Sequence, residues 1–301
     1  GMDKSAQPFR SVMIFTHPAL PDSAREGGEI LRVLRGRGIS ADCAPLNDES
    51  ARLRLQSSEF DLLIALGGDG TMLRASHLSA PAGVPMLGIN MGHFGFLTEI
   101  SREDWRSRLD QLLEGDYRLE HRMMLRVEHW TNEECLGVWR VLNDVVVCRG
   151  SVVRPLRLKA WVDGFLLTRY VADGLIAATP TGSTAYALAA GGPILPPEMR
   201  NIVIVPVAPH LSMDSAIVLA EGAHVSIGVQ ATSYDAVMSG DGQAPQPLAE
   251  GDTVRVSMDE FSACFIRFED AGYFYRNITK YMEQNPTAGC LLYTSPSPRD
   301  S

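Results

Sequence analysis

Up to about residue 120, hydrophobic and polar positions follow two rhythms in turn. Unbroken apolar runs, SVMIF at Ser11–Phe15, FDLLIAL at Phe60–Leu66 and VPMLGIN at Val84–Asn90, read as strands covered on both faces. After the first comes DSAREGGEILRVLRGRG, Asp22–Gly38, whose apolar Ile30, Leu31 and Leu34 share one side of a helix. In SREDWRSRLDQLLEG the residues Trp105, Leu109, Leu112 and Leu113 recur at i, i+4, i+7 and i+8, the spacing of one helical face. Ser101 with Asp104 reads as the capping box of that helix. Strand and helix alternating in this way predict βαβ units, and hence an N-terminal α/β domain with a mostly parallel sheet.

The period then shortens to two. MLRVEHW at Met124–Trp130 alternates, GVWRVLNDVVVC does so in part, and LRLKAWVDGFLLTRYV is two strand-like runs about an Asp163-Gly164 turn. NIVIVPV, AHVSIGV, TVRVSMD and ACFIRF continue the pattern. Residues 120–271 are therefore expected to form a β-rich, sandwich-like C-terminal domain behind residues 1–119. A return to the first domain is expected over about 272–288, with GYFYRNITKYMEQ as a short helix. The segment 289–301, rich in Ser and Pro and without either period, is expected to be a disordered tail.

Composition narrows the class. The chain has 301 residues, 45% hydrophobic and 21% charged, the make-up of a soluble globular protein. Its apolar runs fall short of the ~18 residues that suggest a membrane span. A net charge of −9 argues against nucleic acid or an anionic membrane as partner, so the charge of any polyanionic ligand must be met locally or by a metal ion. Only Lys4, Lys159 and Lys280 are lysines, which leaves the cationic work to arginine, and no Gly-Lys-Ser/Thr sequence supplies a Walker-type phosphate loop. The five cysteines form no C-x-x-C pair and fit buried thiols in a reducing cytoplasm. The histidines show no metal-ligand spacing either, and no protein ligand for a metal is assigned. There is no signal-peptide pattern, and Gly1 ahead of Met2 is expected to be foreign to the natural chain.

Four stretches carry candidate chemistry. LLIALGGDGTMLRA, Leu62–Ala75, is a strand, a glycine turn and a helix. Gly67, Gly68 and Gly70 let backbone N–H groups approach a ligand, Thr71 is a candidate cap for the helix, and Arg74 lies one turn in. Asp69 would repel the phosphate that such a turn favours. A divalent cation between them removes the conflict, as does a hydroxyl that gives the carboxylate its proton, and both mean phosphoryl transfer. The plain alternative is that Asp69 caps a helix. In ADGLIAATPTGSTAYALAAGGPI, Ala172–Ile194, a strand LIAAT and a PTGS turn lead into an expected helix over TAYALAA. Its small residues admit a flat ligand and Tyr186 offers a ring, unless they serve close helix–sheet packing. In LNDVVV, Asn143 and Asp144 interrupt an apolar run, either as a bulge or as an amide and carboxylate for a base edge and ribose hydroxyls. MSGDGQ, Met238–Gln243, reads as a hairpin turn before it reads as a site, and His93 and His210 read as structural.

Taken together, GGDGT at 67–71, NMGHFGFLTE at 90–99, LND at 142–144, DGLIAATPTGSTAYALAAGGPI at 173–194 and GDGQ at 240–243 resemble the NAD kinase family. Lipid kinases and phosphofructokinases share turns like GGDGT; the long TPTGSTAY segment makes the match specific. The resemblance implies an α/β domain carrying GGDGT, a sandwich-like domain carrying TPTGSTAY, a dinucleotide held between them, and a homodimer or homotetramer. It implies transfer of the γ-phosphoryl of ATP, or of polyphosphate in some bacterial members, to the 2′-hydroxyl of the adenosine ribose of NAD. Mg²⁺ or another divalent ion is the implied cofactor.

Carried over residue by residue, the resemblance makes Asp69 the general base, with Gly70 and Arg74 beside it at the phosphates. Asn143 and Asp144 match the pair that holds the adenosine side, Arg154 a polar binding position, and Asp173 the aspartate at the nicotinamide half. Thr184, Ala185, Tyr186, Ala187, Leu188 and Ala189 match the segment along the nucleotide, Gln243 a contact at its far end, and Ala208 a backbone contact. Two positions depart from the family: Val171 and Ser215 stand where many members have arginine. Their loss weakens phosphate or cross-subunit contacts unless Arg154 or Arg169 replaces them. Two other readings stay open at this point, a lipid or sugar kinase with a GGDGT turn and a protein that senses NAD(P) without transfer.

Overall fold

The computed structural model describes residues 8–231 and 235–284. The expected tail at 289–301 and Cys290 lie outside the described residues. The described chain gathers into two compact units, residues 8–121 with Phe261–Gln284, and Arg122–Glu260.

Unit 1 runs β1 (Ser11–Thr16), α1 (Pro21–Gly36), β2 (Ser40–Pro45), α2 (Glu49–Gln56), β3 (Leu62–Gly67), α3 (Asp69–Ala82), β4 (Met86–Asn90), β5 (Ile100–Ser101) and α4 (Trp105–Leu113). Strands β4, β3, β1 and β2 pair in that order, all in parallel, as crossovers through helices require. Every residue of β3 and β4 is buried, which is why their sequences are unbroken apolar runs. Ile30 and Leu34 of α1 and Trp105, Leu109 and Leu112 of α4 fill the core beside them. β2 and α2 are absent from the hydrophobic pattern because α2 buries only Ala51 and Leu55. Its start is set instead by Asp48, whose carboxylate accepts the Ala51 N–H at 2.8 Å. The capping box expected at Ser101 does not form. Ser101 belongs to β5 and gives its hydroxyl to the Asp104 carboxylate at 2.8 Å, so α4 begins only at Trp105.

Strand β6 (Arg118–Thr131) leads into unit 2, which continues with β7 (Glu134–Val141), β8 (Asp144–Arg149), β9 (Leu156–Val162), β10 (Phe165–Ala172) and β11 (Gly174–Ala178). A 3₁₀ turn (Thr181–Thr184) and the single turn α5 (Tyr186–Ala189) follow. The remaining strands are β12 (Val203–Val207), β13 (Ile217–Val218), β14 (Val225–Val229), β15 (Ala236–Gly240), β16 (Gln246–Leu248) and β17 (Thr253–Arg267). One antiparallel sheet has the order β13-β12-β11-β8-β15-β16; in the other, β9 lies between β10 and β14, and β14 pairs with the start of β17. Alternate residues of both sheets, among them Leu125, Val145, Val147, Leu158, Leu175, Ile204 and Ile227, meet in one core, the layering of a sandwich. Asp163 and Gly164 both take positive φ, 51° and 82°, the geometry a two-residue hairpin needs.

The two runs TVRVSMD and ACFIRF are one strand, β17. From Phe261 onward this strand belongs to unit 1, where Phe265 pairs in parallel with Met86 of β4. The return to unit 1 thus begins within β17, ahead of α6 (Gly272–Gln284), the helix expected to make it.

Candidate functional site

In unit 1 the candidate site begins where β3 ends. Gly68 is the N-cap of α3 with extended backbone (φ −111°, ψ −165°), and Asp69 is the first helical residue. The helix therefore starts ahead of Thr71, which is buried and not its cap. Gly67 accommodates that threonine, since a Cβ there would lie 2.2 Å from Thr71 Oγ1. No side chain caps the helix, Gly68 and Gly70 are exposed, and its first-turn N–H groups form an anion-favouring end. Arg74 is exposed one turn further on.

The Asp69 carboxylate bonds across to the loop after β4. Oδ2 accepts the Phe96 N–H at 3.0 Å and Oδ1 the Leu97 N–H at 3.1 Å. Gly95 leaves the carboxylate its room, because a Cβ there would sit 2.3 Å from Oδ1. Asn90 pins the same loop: its Oδ1 accepts the Gly92 N–H at 2.7 Å, and its Nδ2 donates to the His93 carbonyl and, at 3.2 Å, to Thr98 Oγ1. The ring of Phe96 lies 3.9 Å from that of Tyr281 and 6.3 Å from that of Phe274, both on α6. Burial and then the Asp69 charge push the Tyr281 phenol pKa above its ordinary value. Neither α6 nor the amide donors entered the candidate list from sequence: backbone donors leave no residue signature, and GYFYRNITKYMEQ reads only as a short helix.

In unit 2, three of the motifs come together. Asn143 lies in the bend between β7 and β8, and Asp144 opens β8. The Asp241 carboxylate accepts the N–H groups of Leu142 and Asn143, each at 2.7 Å, and of Asp144 at 3.2 Å. Thr179 gives its hydroxyl to the Leu142 carbonyl and its N–H to the Asn143 carbonyl at 2.9 Å. Gly182 packs so tightly on this bend that a Cβ would fall 1.9 Å from the Asn143 carbonyl oxygen. LND, GDG and TPTGS thus form one cluster. The residue that binds it is Asp241, which the sequence offered only as part of a turn. The Asp144 carboxyl is buried, and that burial, with the nearby Asp241 charge second, pushes its pKa up to about 8.

The helix expected over TAYALAA shrinks to the single turn Tyr186–Ala189, since Thr184 still belongs to the 3₁₀ turn and gives its hydroxyl to the Thr181 carbonyl at 3.0 Å. Ala185 joins the two turns. Ala187 is fully buried and Tyr186 packs on the same cluster, while Leu188 is half-buried and Ala189 exposed. Asp173, at the corner between β10 and β11, pairs with Arg149 at 3.4 Å. Arg154 is exposed in the loop before β9, Gln243 is exposed beyond β15, and Ala208 follows β12 with φ of 47°. Among the described residues, Arg154 and Ala208 make no hydrogen bond to the Asn143–Asp144 cluster. No group of three or more His, Cys, Asp or Glu among the described residues is arranged to hold a metal ion.

Comparison with known proteins bears on both units. Residues 23–117 match the family model described as ATP-NAD kinase N-terminal domain, and residues 142–268 match that of the ATP-NAD kinase C-terminal domain. The chain is 41% identical over 267 residues to an NAD kinase of Symbiobacterium thermophilum, covering 86% of this chain and 94% of the relative. It is 44% identical over 212 residues to an NAD kinase of Moorella thermoacetica, covering 70% and 68%. Two solved structures share the fold at 24% identity: yeast NADH kinase complexed with NADH (TM-score 0.82, covering 93% of this chain and 89% of that one) and an Archaeoglobus fulgidus NAD kinase in complex with ATP (TM-score 0.71, covering 91% and 99%).

Proposed function

The chain belongs to the NAD kinase family, and from that premise we propose that it transfers the γ-phosphoryl group of ATP to the 2′-hydroxyl of the adenosine ribose of NAD. The observation that carries the reading is the Asp69 carboxylate, fixed by the Phe96 and Leu97 amides at the open N-terminus of α3. A ribose hydroxyl is a weak nucleophile at neutral pH. In this reading Asp69 takes its proton as the oxygen bonds to the γ-phosphorus and the bond to the β-phosphate oxygen breaks, giving NADP, ADP and a protonated Asp69. A positioned base contributes typically about 10²–10⁴-fold. The N–H groups of Gly70 and Thr71, with Arg74, face the charge of the phosphates.

Mg²⁺ enters as the metal complex of ATP. No protein ligand is assigned to it, and it would supply screening of the phosphate charge. In unit 2, Asn143 and Asp144 hold the adenosine side and Asp173 the nicotinamide half, with Thr184–Ala189 along the nucleotide and Arg154, Ala208 and Gln243 in outer contacts. A homodimer or homotetramer fits the exposed apolar side chains of Val153, Phe165, Leu166 and Leu211 and is measurable by light scattering; the cytoplasm is the proposed location.

The decisive experiment follows NADP formation from NAD, ATP and Mg²⁺, with polyphosphate as the second donor. The wild type should turn over, and Asp69→Asn should lose at least about 100-fold in kcat while KM for NAD stays within a few-fold. A folded wild-type sample that forms no NADP with either donor overturns the assignment; equal turnover by the variant removes Asp69 as the base.

A further inference from the structure

Behind the loop that holds Asp69 lies a buried charge cluster. Arg267, at the end of β17, has a side chain only 4% exposed and faces Glu120 and Glu99, each 5% exposed. Its Nε donates to Glu120 Oε1 at 3.2 Å, and its Nη1 donates to the Leu97 carbonyl at 3.1 Å. Glu99 Oε2 accepts the backbone N–H groups of Phe268 at 2.9 Å and Glu269 at 3.4 Å, tying the same loop to the end of β17. Leu97 is thus held through its carbonyl by Arg267 while its N–H holds Asp69.

A buried ion cluster is a weak source of stability, because desolvating the charges offsets most of their attraction; apolar replacements are often neutral or stabilising. What such a cluster supplies is geometry. The guanidinium is a planar fork that meets Glu120 and the Leu97 carbonyl along two fixed directions at once. The Phe96 and Leu97 amides tie the Asp69 carboxylate to the loop, so displacement of the loop becomes displacement of the acid. We propose that Arg267 is a positioning residue for phosphoryl transfer, acting through Leu97 to aim the Asp69 carboxylate. This role rests on the reading of Asp69 as the base.

The test is a double-mutant cycle. Arg267→Lys keeps the charge, but its one ammonium cannot serve both partners in the arginine's geometry. It should lower kcat by about 10–100-fold with KM for NAD within about 3-fold, the loss expected when a reacting group is misplaced by about an ångström. In the Asp69→Asn background the same change should cost less than about 3-fold, since there is no base left to misplace. Hydrogen exchange of the 94–99 amides should quicken at least about 10-fold in Arg267→Lys. Should that variant not fold, Arg267→Met with Glu120→Gln removes a charge of each sign and enters the same cycle. An equal loss of kcat in both backgrounds, or unchanged kcat in a folded variant, overturns the proposal. If the wild type itself makes no NADP, the fault lies with the assigned reaction, and the exchange measurement decides alone whether Arg267 holds the loop: unaltered exchange refutes it.

Discussion

Replacing Asp144 by asparagine separates what that carboxyl costs the fold from what it gives the site. Its pKa is pushed up from 3.8 to about 8, chiefly by burial and then by the Asp241 charge. Below the unfolded value both states keep the proton and the group costs nothing relative to an amide. As pH rises the unfolded chain ionises first, so stability falls through the window from 3.8 to about 8 and stays at its reduced level above it. At 1.36 kcal/mol per pKa unit the penalty at pH 7 has a ceiling of about 4 kcal/mol, and local relaxation brings the expected value to roughly 1–3 kcal/mol. Asparagine has the same shape and cannot ionise, so Asp144→Asn should be more stable than wild type by that amount at pH 7. Urea titrations from pH 5 to 9 check this, followed by fluorescence of Trp130, Trp139 and Trp161, all in unit 2, with Trp105 reporting unit 1. The advantage should grow up to about pH 8 and then level off, while KM for NAD rises about 10-fold from the lost carboxyl contact. A difference between variant and wild type that is constant from pH 5 to 9 refutes the burial argument.

Other substitutions probe the close approaches. Gly95→Ala places a Cβ 2.3 Å from Asp69 Oδ1 and should lower kcat by about 10–100-fold with the folded structure kept, as circular dichroism and steady-state kinetics will show. Gly182→Ala puts its methyl 1.9 Å from the Asn143 carbonyl oxygen and should destabilise unit 2 by about 2–4 kcal/mol in the same urea assay. For Asp252, burial raises the pKa, but hydrogen bonds from His129, the Ala249 N–H and Thr131 together bring it below the ordinary range. Its contribution to stability is therefore present above the unfolded carboxylate pKa and lost as pH falls through the lower native one, so His129→Leu should flatten the acid end of the stability curve.

The hydrophobic pattern made β1, β3 and β4 legible as unbroken buried runs, and α1, β6 and β9 legible because their burial is periodic. It missed β2 and α2, whose positions come from pairing to β1 and from the Asp48 cap rather than from apolar spacing. It split β17 in two because Asp259 and Glu260 interrupt the run, although Asp259 is buried in an ion pair with Arg140 at 2.9 Å and the strand continues through it. Asp69 stood out as a carboxylate where a phosphate is favoured, and Asn143 and Asp144 as polar residues interrupting an apolar run. Asp241 and Arg267 did not: one sits in a sequence that any hairpin would use, and the other closes an apolar run as surface arginines commonly do.

The same physical device recurs with different consequences. Asp61 accepts the N–H groups of Arg10 and Ser11, Asp235 those of Ser151 and Val152, and Asp241 those of Leu142, Asn143 and Asp144. Each staples segments distant in sequence, and Asp69 does the same with Phe96 and Leu97. Its distinction is location. The Phe96 and Leu97 amides hold the Asp69 carboxylate, and each of its oxygens can accept more than one hydrogen bond. It alone of the four opens a helix after a glycine N-cap, between exposed Gly68 and Gly70, at a helix end whose N–H groups favour an anion. In the proposed reaction that location is what would let a staple serve as the base.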